Sequence, residues 1–356
     1  MDRNRASVFL MIQSVCVQNF WHLVCHRSSV AAHGSYLRVQ LGKYDLFVHN
    51  HKGQLSCYVN KCPHRSSRIV DSVSGKSSLQ CPYHGWSFQP FRTAVPRSET
   101  FDESPRDPRE AFLDQWFLED HSGFIFVALK PLFPLIEQIG KDSSLLLERI
   151  GSSLQDCHSS QVIHYDASWM LAVENALEPY HVSKVHPKSL GTVGLDDGVD
   201  TLWDWSSLWH ASSANARISR VSTLIKNCVD LRDQIGGYLS LYIFPFSMLS
   251  STESLSFALQ LYQPSLSCEN ASTSLLTTLY TPSIVNERMR DSVEAFYRST
   301  AEMNFKIFEE DARISSLVYP DSWSIEPLTY FSTLELKINH FRDCCKKALS
   351  LSCGLV

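Results

Sequence analysis

No segment of this sequence is apolar for long enough to form an ordinary membrane span. The 356 residues contain no uninterrupted stretch near the roughly 20 apolar residues that a membrane helix requires. The fingerprint GxGxxG, which would indicate a flavin or nicotinamide site, is also absent. No internal repeat or low-complexity tract occurs. These absences argue against a membrane protein, a repeat protein and an enzyme that carries its own Rossmann-type dinucleotide site.

The sequence also has no large excess of charge of one sign. The formal net charge is -5 and the pI is near 6.3, which gives no indication of a nucleic-acid partner. The 11 cysteines show no disulfide-framework spacing, so we expect reduced thiols and a cytoplasmic protein. The hydrophobic content of 44% is sufficient for two domains with their own cores.

The first 18 residues contain only a faint resemblance to a signal peptide. Arg3 and Arg5 precede a modestly apolar run, but Gln13 and Ser14 interrupt it and no small-residue cleavage site is clear. We interpret residues 1–18 as an N-terminal extension or a short helix.

Two short motifs are the most informative features of the chain. They are Cys62-Pro63-His64 and Cys81-Pro82-Tyr83-His84, and each supplies one cysteine and one histidine. A structural zinc site usually uses CxxC or HxxxH pairs, and a ferredoxin supplies four cysteines. Two thiolates on one iron and two neutral imidazoles on the other are typical of a Rieske [2Fe–2S] centre. A zinc knuckle is the alternative.

The flanks of these motifs support the iron–sulfur interpretation. A proline follows each cysteine and stiffens its loop, and Gly85 allows a close approach of the backbone. The sequence CPHR followed by CPYHGWSF resembles the Rieske domain of the ring-hydroxylating oxygenases. The resemblance implies that Cys62, His64, Cys81 and His84 bind the cluster.

A second candidate site follows in the segment ENALEPYHVSKVHP, which begins at Glu174. His181 and His186 are five residues apart, so they would lie roughly 140° apart around an ideal helix. They can converge only if the helix is irregular or ends between them. Two histidines and a carboxylate on one face of an iron are typical of non-haem Fe(II) oxygenases. The pattern of Asn175, Tyr180, His181 and His186 resembles the mononuclear-iron motif of the Rieske oxygenase alpha subunits.

The resemblance also places the third iron ligand on a long helix late in the chain. The helical stretch from about residue 286 to 317 contains Glu309, Glu310 and Asp311. We expect Asp311 to be the ligand, with Glu310 as the alternative and Glu309 on a solvated helix face.

Glu178 occupies a position where the family commonly has an acidic residue, usually Asp. The resemblance implies that this carboxylate joins an iron-bound histidine to a Rieske histidine of the neighbouring subunit by accepting a hydrogen bond from each imidazole. Some branches of the family that act on quaternary ammonium compounds use Glu.

The predicted fold class is α+β. Residues 19–130 are expected to form a Rieske β-domain, with strands at residues 36–40, 44–49 and 54–59. Residues 131–356 are expected to form the catalytic domain, with a helix at residues 135–154 and three strands at residues 237–250, 255–262 and 274–280. The resemblance implies a START-like helix-grip architecture, in which an antiparallel sheet wraps around a long helix.

The expected function is that of a terminal oxygenase component with a [2Fe–2S] cluster and a mononuclear Fe(II). Electrons would come from NAD(P)H through a separate reductase, with or without a ferredoxin, and the product would arise by hydroxylation, dihydroxylation or oxidative demethylation. The resemblance implies a homotrimer. The alternatives are a Rieske electron-transfer or regulatory protein with a non-catalytic second site, and a ligand-binding helix-grip protein.

The sequence does not identify the substrate. Trp203, Trp205 and Trp209 could surround a cationic ammonium group, but packing in the core is the preferred interpretation. Phe244, Phe246 and Met248 could line a pocket or fill the core.

Overall fold

The computed structural model describes residues 3–89, 92–95, 112–195, 198–212, 215–265, 272–319, 322–330 and 332–353. Within these residues the main framework consists of two antiparallel sheets of seven strands each, and helices cover the second sheet. This arrangement confirms the predicted α+β class.

The first sheet is built from residues before position 130. Its strands, in spatial order, are β1 (His22–His26), β9 (Phe124–Ala128), β8 (Gln115–His121), β4 (Gln54–Val59), β3 (Tyr44–His51), β2 (Ser35–Leu41) and β5 (Ser74–Lys76). A separate pair consists of β6 (Ser87–Gln89) and β7 (Arg92–Val95). The three strands predicted between residues 36 and 59 are confirmed as β2, β3 and β4.

The hairpin between β3 and β4 shows why the local sequence folds in this way. His51 pairs with Gln54, so Lys52 and Gly53 form a two-residue loop. Both loop residues have positive φ, 54° and 91°, as a type I′ turn requires, and glycine adopts this conformation without steric cost.

The second sheet lies later in the chain. Its strands, in spatial order, are β10 (Asp156–Tyr165), β16 (Thr273–Thr281), β15 (Phe257–Pro264), β14 (Ser247–Thr252), β13 (Tyr238–Ile243), β12 (Ser206–Ala211) and β11 (Val199–Leu202). The sequence predicted one strand over residues 237–250, and this prediction was wrong. Pro245 divides the segment into β13 and β14, because proline fixes its own φ and cannot donate a hydrogen bond to a neighbouring strand.

Seven α-helices accompany the sheets in the described part of the chain. They are α1 (Arg3–Asn19), α2 (Leu135–Gly151), α3 (Trp169–Leu177), α4 (Val182–Val185), α5 (Ala216–Lys226), α6 (Arg290–Ser315) and α7 (Leu336–Cys353). Helix α6 lies against β10 and α3, and α7 lies against α1 and α3. The predicted long helix before position 317 is therefore confirmed as α6. Among the described helices, none is long and apolar enough to cross a membrane.

The N-terminal segment is part of the core rather than a pendant extension. Ile12, Cys16 and Val17 on α1 are at most 3% exposed, and they belong to one apolar cluster with Val48 of the first sheet and Tyr165 of the second. The two sheets therefore share a core. The predicted domain limits, residues 1–18, 19–130 and 131–356, stay a prediction.

Candidate metal centres

The first candidate centre forms where the chain leaves α3. The Ser168 hydroxyl caps this helix by accepting a hydrogen bond from the N–H of Leu171, and Glu178 then adopts an extended conformation. His181 and His186 flank the single turn of α4, and His186 has left the helical region at φ -113° and ψ 38°. The predicted irregularity between the two histidines is therefore present, and it allows their rings to converge.

Three side-chain atoms of this centre point at a common position. The Nε2 atoms of His181 and His186 are 3.2 Å apart, and Asp311 Oδ1 lies 3.4 Å and 2.9 Å from them. Ligands at about 2.1 Å from one metal ion and roughly 95° apart would be separated by about 3.1 Å. His181, His186 and Asp311 can therefore hold a metal ion on one face.

The other ring nitrogens are held by two further carboxylates. Glu178 Oε1 lies 2.6 Å from Nδ1 of His181, and Glu310 Oε2 lies 2.8 Å from Nδ1 of His186. The Ser189 hydroxyl donates a hydrogen bond to the same oxygen of Glu310 at 2.5 Å. When each Nδ1–H donates to a carboxylate, Nε2 keeps its lone pair for a metal. The geometry thus favours Asp311 over Glu310 as the third ligand.

The electrostatics of this centre favour a bound cation. Burial disfavours a charged His181, but Asp311 and Glu178 outweigh this effect and raise the pKa of His181 to about 9. Burial would raise the pKa of Asp311, yet the two imidazoles hold that pKa below its ordinary value. The carboxylates of Asp311, Glu178 and Glu310 surround the two histidines with negative charge, most of which a divalent cation would offset.

The centre opens into a cavity of about 530 Å³ between the second sheet and α6. One stripe of α6 lines the cavity at helical spacing, namely Phe296, Thr300, Met303, Ile307 and Asp311. The sheet contributes a mixed wall of Tyr238, Ser240, Met248, Ser250, Ala258 and Gln260. Such a wall suits a small organic molecule that has both apolar and polar parts.

The second candidate centre lies in the loops beside the first sheet. Cys62 and Cys81 are each 1% exposed and have free thiols, whereas His84 is exposed to solvent. The ring centroids of His64 and His84 are 4.7 Å apart. The Trp86 ring stacks on His64 at 4.8 Å with an interplanar angle of 2°. Two buried thiols and two more accessible imidazoles fit the asymmetric donor set of a Rieske cluster.

Backbone hydrogen bonds fix the loop that carries Cys81 and His84. The N–H of Cys81 donates to the carbonyl of Trp86, and the N–H of Gly85 donates to the carbonyl of Cys81, at 2.8 Å and 3.0 Å. Gly85 has a φ of 74°, which is accessible to glycine without strain. The local sequence CPYHGW therefore forms a closed turn that presents Cys81 and His84.

The other residues that the sequence marked as candidates lie in different environments. Asn175 is half-buried on α3 and contributes no atom to the triad of His181, His186 and Asp311. Trp205 packs against Phe20 and Phe244 in the core, whereas Trp209 lines the cavity. The tryptophans do not form one cage.

Two residues of the site were not foreseen from the sequence. Ser189 lies only three residues after His186, and that proximity was the one available signal. Lys337 lines the cavity from α7, and no motif marks it.

Comparisons with known proteins identify the first domain and the fold. Residues 20–102 match the family model of the Rieske [2Fe-2S] domain. The solved structure of the quaternary ammonium Rieske monooxygenase CntA with an inhibitor superposes with a TM-score of 0.76 at 18% identity, covering 96% of this chain and 92% of that one. The chain carries a Rieske domain and has the fold of the Rieske oxygenase alpha subunits. Naphthalene 1,2-dioxygenase from Rhodococcus sp. has the same fold, with a TM-score of 0.69 at 15% identity and coverage of 97% and 93%.

Sequence relatives of this Rieske chain include oxygenase subunits of both dioxygenases and monooxygenases. The large subunit of anthranilate 1,2-dioxygenase from Acinetobacter baylyi is 27% identical over 228 residues, which are 58% of this chain and 47% of that protein. The oxygenase subunit of carnitine monooxygenase from Acinetobacter pittii is 26% identical over 200 residues, which are 55% and 51%. The matched region thus spans about half the length of these relatives.

Proposed function

We propose that this chain is the terminal oxygenase component of a Rieske non-haem iron system. It would use O₂ and electrons from NAD(P)H, delivered by a separate reductase, to hydroxylate, dihydroxylate or oxidatively demethylate a small organic molecule. One observation carries the proposal. The triad of His181, His186 and Asp311 opens into a cavity, in a chain that also carries a Rieske domain.

The donor sets fit the two metal groups. Cys62, Cys81, His64 and His84 would hold the [2Fe–2S] cluster, since two thiols and two imidazoles lie on adjacent fixed turns. The triad would hold a mononuclear iron and leave the face towards the cavity free. When bound, the iron supplies activation of O₂ and the cluster supplies a store for one electron.

The surrounding residues have roles that follow from their contacts. Glu178 and Glu310 fix the orientation of the two imidazoles through their Nδ1 atoms. Both oxygens of Glu178 lie against His181, one at its N–H and one at its ring. The contact to a Rieske histidine of a neighbouring subunit stays a prediction.

The alternative of a Rieske electron-transfer or regulatory protein requires a degenerate second site. The triad is complete and opens into a cavity, so we do not propose this function. We further propose a homotrimer in the cytoplasm that receives electrons from a flavin or iron–sulfur reductase, with or without an intervening ferredoxin. The free thiols of the described cysteines suit a reducing compartment.

Electron paramagnetic resonance of the iron-reconstituted protein tests the proposal. The anaerobic protein is reduced with dithionite and then exposed to nitric oxide. We expect a Rieske signal together with a high-spin iron–nitrosyl signal. A Rieske signal alone would contradict the oxygenase proposal and favour electron transfer, and the absence of both signals would contradict the metal assignments themselves.

A further inference from the structure

A buried lysine projects into the cavity that the proposed function uses. Lys337 is the second residue of α7 and is 2% exposed. Among the described residues that line the cavity, it is the only lysine or arginine. A buried ammonium group is costly unless charged or polar partners compensate for the lost hydration.

The structure gives this ammonium group one ion-pair partner and one aromatic ring, and neither lies within hydrogen-bonding distance of Nζ. Asp200 Oδ1 is 3.7 Å from Nζ, which is beyond the range of an N–H···O hydrogen bond. The ring centroid of Trp209 is 5.8 Å away. The group has three donors, and its closest carboxylate oxygen in the described part of the chain, Asp200 Oδ1, is itself buried without a hydrogen-bond partner.

The ammonium group is nevertheless mainly charged near neutral pH. Burial lowers the pKa of Lys337 to about 8, while the carboxylates of Asp200 and Glu178 act in the opposite direction. A protonated Lys337 also covers the face of Trp209, which would repel a cationic substrate from that ring.

We propose that Lys337 is a specificity residue that binds a carboxylate group of the substrate. The cavity lining has one ammonium group among its described residues, which suits a monoanion better than a phosphate dianion, and an incoming carboxylate could accept a hydrogen bond from Nζ that Asp200 is too far away to accept. The rest of the substrate would lie along α6 towards His181. This inference rests on the proposed function in one respect, namely that the cavity is the substrate site.

Isothermal titration of the cluster- and iron-loaded protein at pH 7 with benzoate and with benzamide tests the proposal. The two probes have nearly the same size and differ in charge. We expect benzoate to bind about tenfold more tightly or better, in line with a hydrogen bond between charged groups. Lys337→Met should remove this preference. Lys347→Met is the matched control, because Lys347 lies on the same helix, over Trp205 and beside Asp204, but is half-exposed.

A double variant guards against misfolding of the single one. Asp200→Asn combined with Lys337→Met leaves no unpaired charge at the site and should also bind both probes equally. Equal affinities in the unmodified protein, no benzoate binding up to about 20 mM, or a benzoate preference that survives Lys337→Met would each overturn the proposal. Benzoate that binds directly to the iron would keep its preference in the Lys337→Met variant, so this binding mode would also overturn the proposal.

Failure of this inference is distinguishable from failure of the oxygenase proposal. The titration measures binding and does not depend on turnover, whereas the spectroscopic test above measures the metals. Equal binding of benzoate and benzamide by the unmodified protein, with both metal signals present, would refute only the role of Lys337.

Discussion

Each imidazole of the triad uses its two nitrogens for different purposes. His181 and His186 direct Nδ1 to a carboxylate and Nε2 to the common position beside Asp311. The neighbouring residues Glu310 and Asp311 therefore serve opposite sides of the same ring of His186. This division predicts that the two acidic residues are not interchangeable.

Replacing Asp311 and Glu310 separately by alanine distinguishes their roles. Asp311→Ala removes a proposed ligand, so we expect loss of the iron–nitrosyl signal with an unchanged Rieske signal. Glu310→Ala removes only the support of His186, so we expect iron affinity to fall by about 10- to 100-fold, measured by chelator competition. Glu309→Ala, at an exposed position of the same helix, is the control and should bind iron normally. Equal losses for the Asp311 and Glu310 variants would contradict the assignment.

At the residue scale, some residues of the candidate site could be predicted from the sequence and others could not. The resemblance to the Rieske oxygenase alpha subunits predicted His181, His186 and Asp311 as ligands, whereas the spacing of the histidines indicated only that the helix between them must be irregular. Helix periodicity alone could not separate Asp311 from its alternative Glu310, because both lie on one helix turn and the position of α4 decides which carboxylate reaches Nε2. Lys337 could not be foreseen, since its burial depends on β11 and β12, more than 100 residues earlier in the chain.

At the scale of elements, a buried ion pair connects α7 to α3, the helix that leads into the triad of His181, His186 and Asp311. Arg342 donates to both oxygens of Glu174 on α3, at 2.7 Å and 2.9 Å, and Trp323 donates to the same carboxylate. Both charged residues are at most 7% exposed. The C-terminal helix thus holds α3 in place, a long-range contact that periodicity cannot reveal.

Breaking this ion pair should destabilise the fold. Arg342→Met leaves the Glu174 carboxylate buried without its counter-charge, so we expect the free energy of unfolding in urea to fall by about 3–5 kcal/mol. Lys346→Met, which removes an exposed pair with Glu326, should change it by less than about 1 kcal/mol. Combining Glu174→Gln with Arg342→Met should restore much of the loss. A loss as small as that of the Lys346 variant would show that the buried pair is dispensable.

At the scale of the whole molecule, the two sheets share apolar packing but carry their candidate centres on different loops and helices. The general order of a β-rich first part, a second sheet and a long helix was predictable, because strand alternation and helix length are local properties. The contribution of α1 to the core was not, because its amphipathic signal is weak and its partner α7 lies at the other end of the chain.

Mixing two inactive variants tests the proposed trimer. Cys81→Ser removes the cluster and His181→Ala removes the iron, so neither should turn over alone. If electrons pass between neighbouring subunits of a head-to-tail ring, co-expression creates functional pairs at about a quarter of the interfaces and restores part of the NAD(P)H-dependent O₂ consumption. A mixture as inactive as its components would indicate transfer within one subunit, and light scattering should independently report three copies.

The stripe on α6 has a consequence for product chemistry. Asp311 and the cavity residues Ile307, Met303, Thr300 and Phe296 follow one another along one face of a single helix, so depth in the cavity increases in steps of about one turn, or 5.4 Å. A bulkier side chain at Thr300 would shorten the cavity while leaving the metal ligands in place. Under the proposed oxygenase function, the carbon atom that is presented for oxidation would therefore change through single substitutions on this helix, and regioselectivity would diverge among descendants of this protein while the proposed metal ligands stay the same.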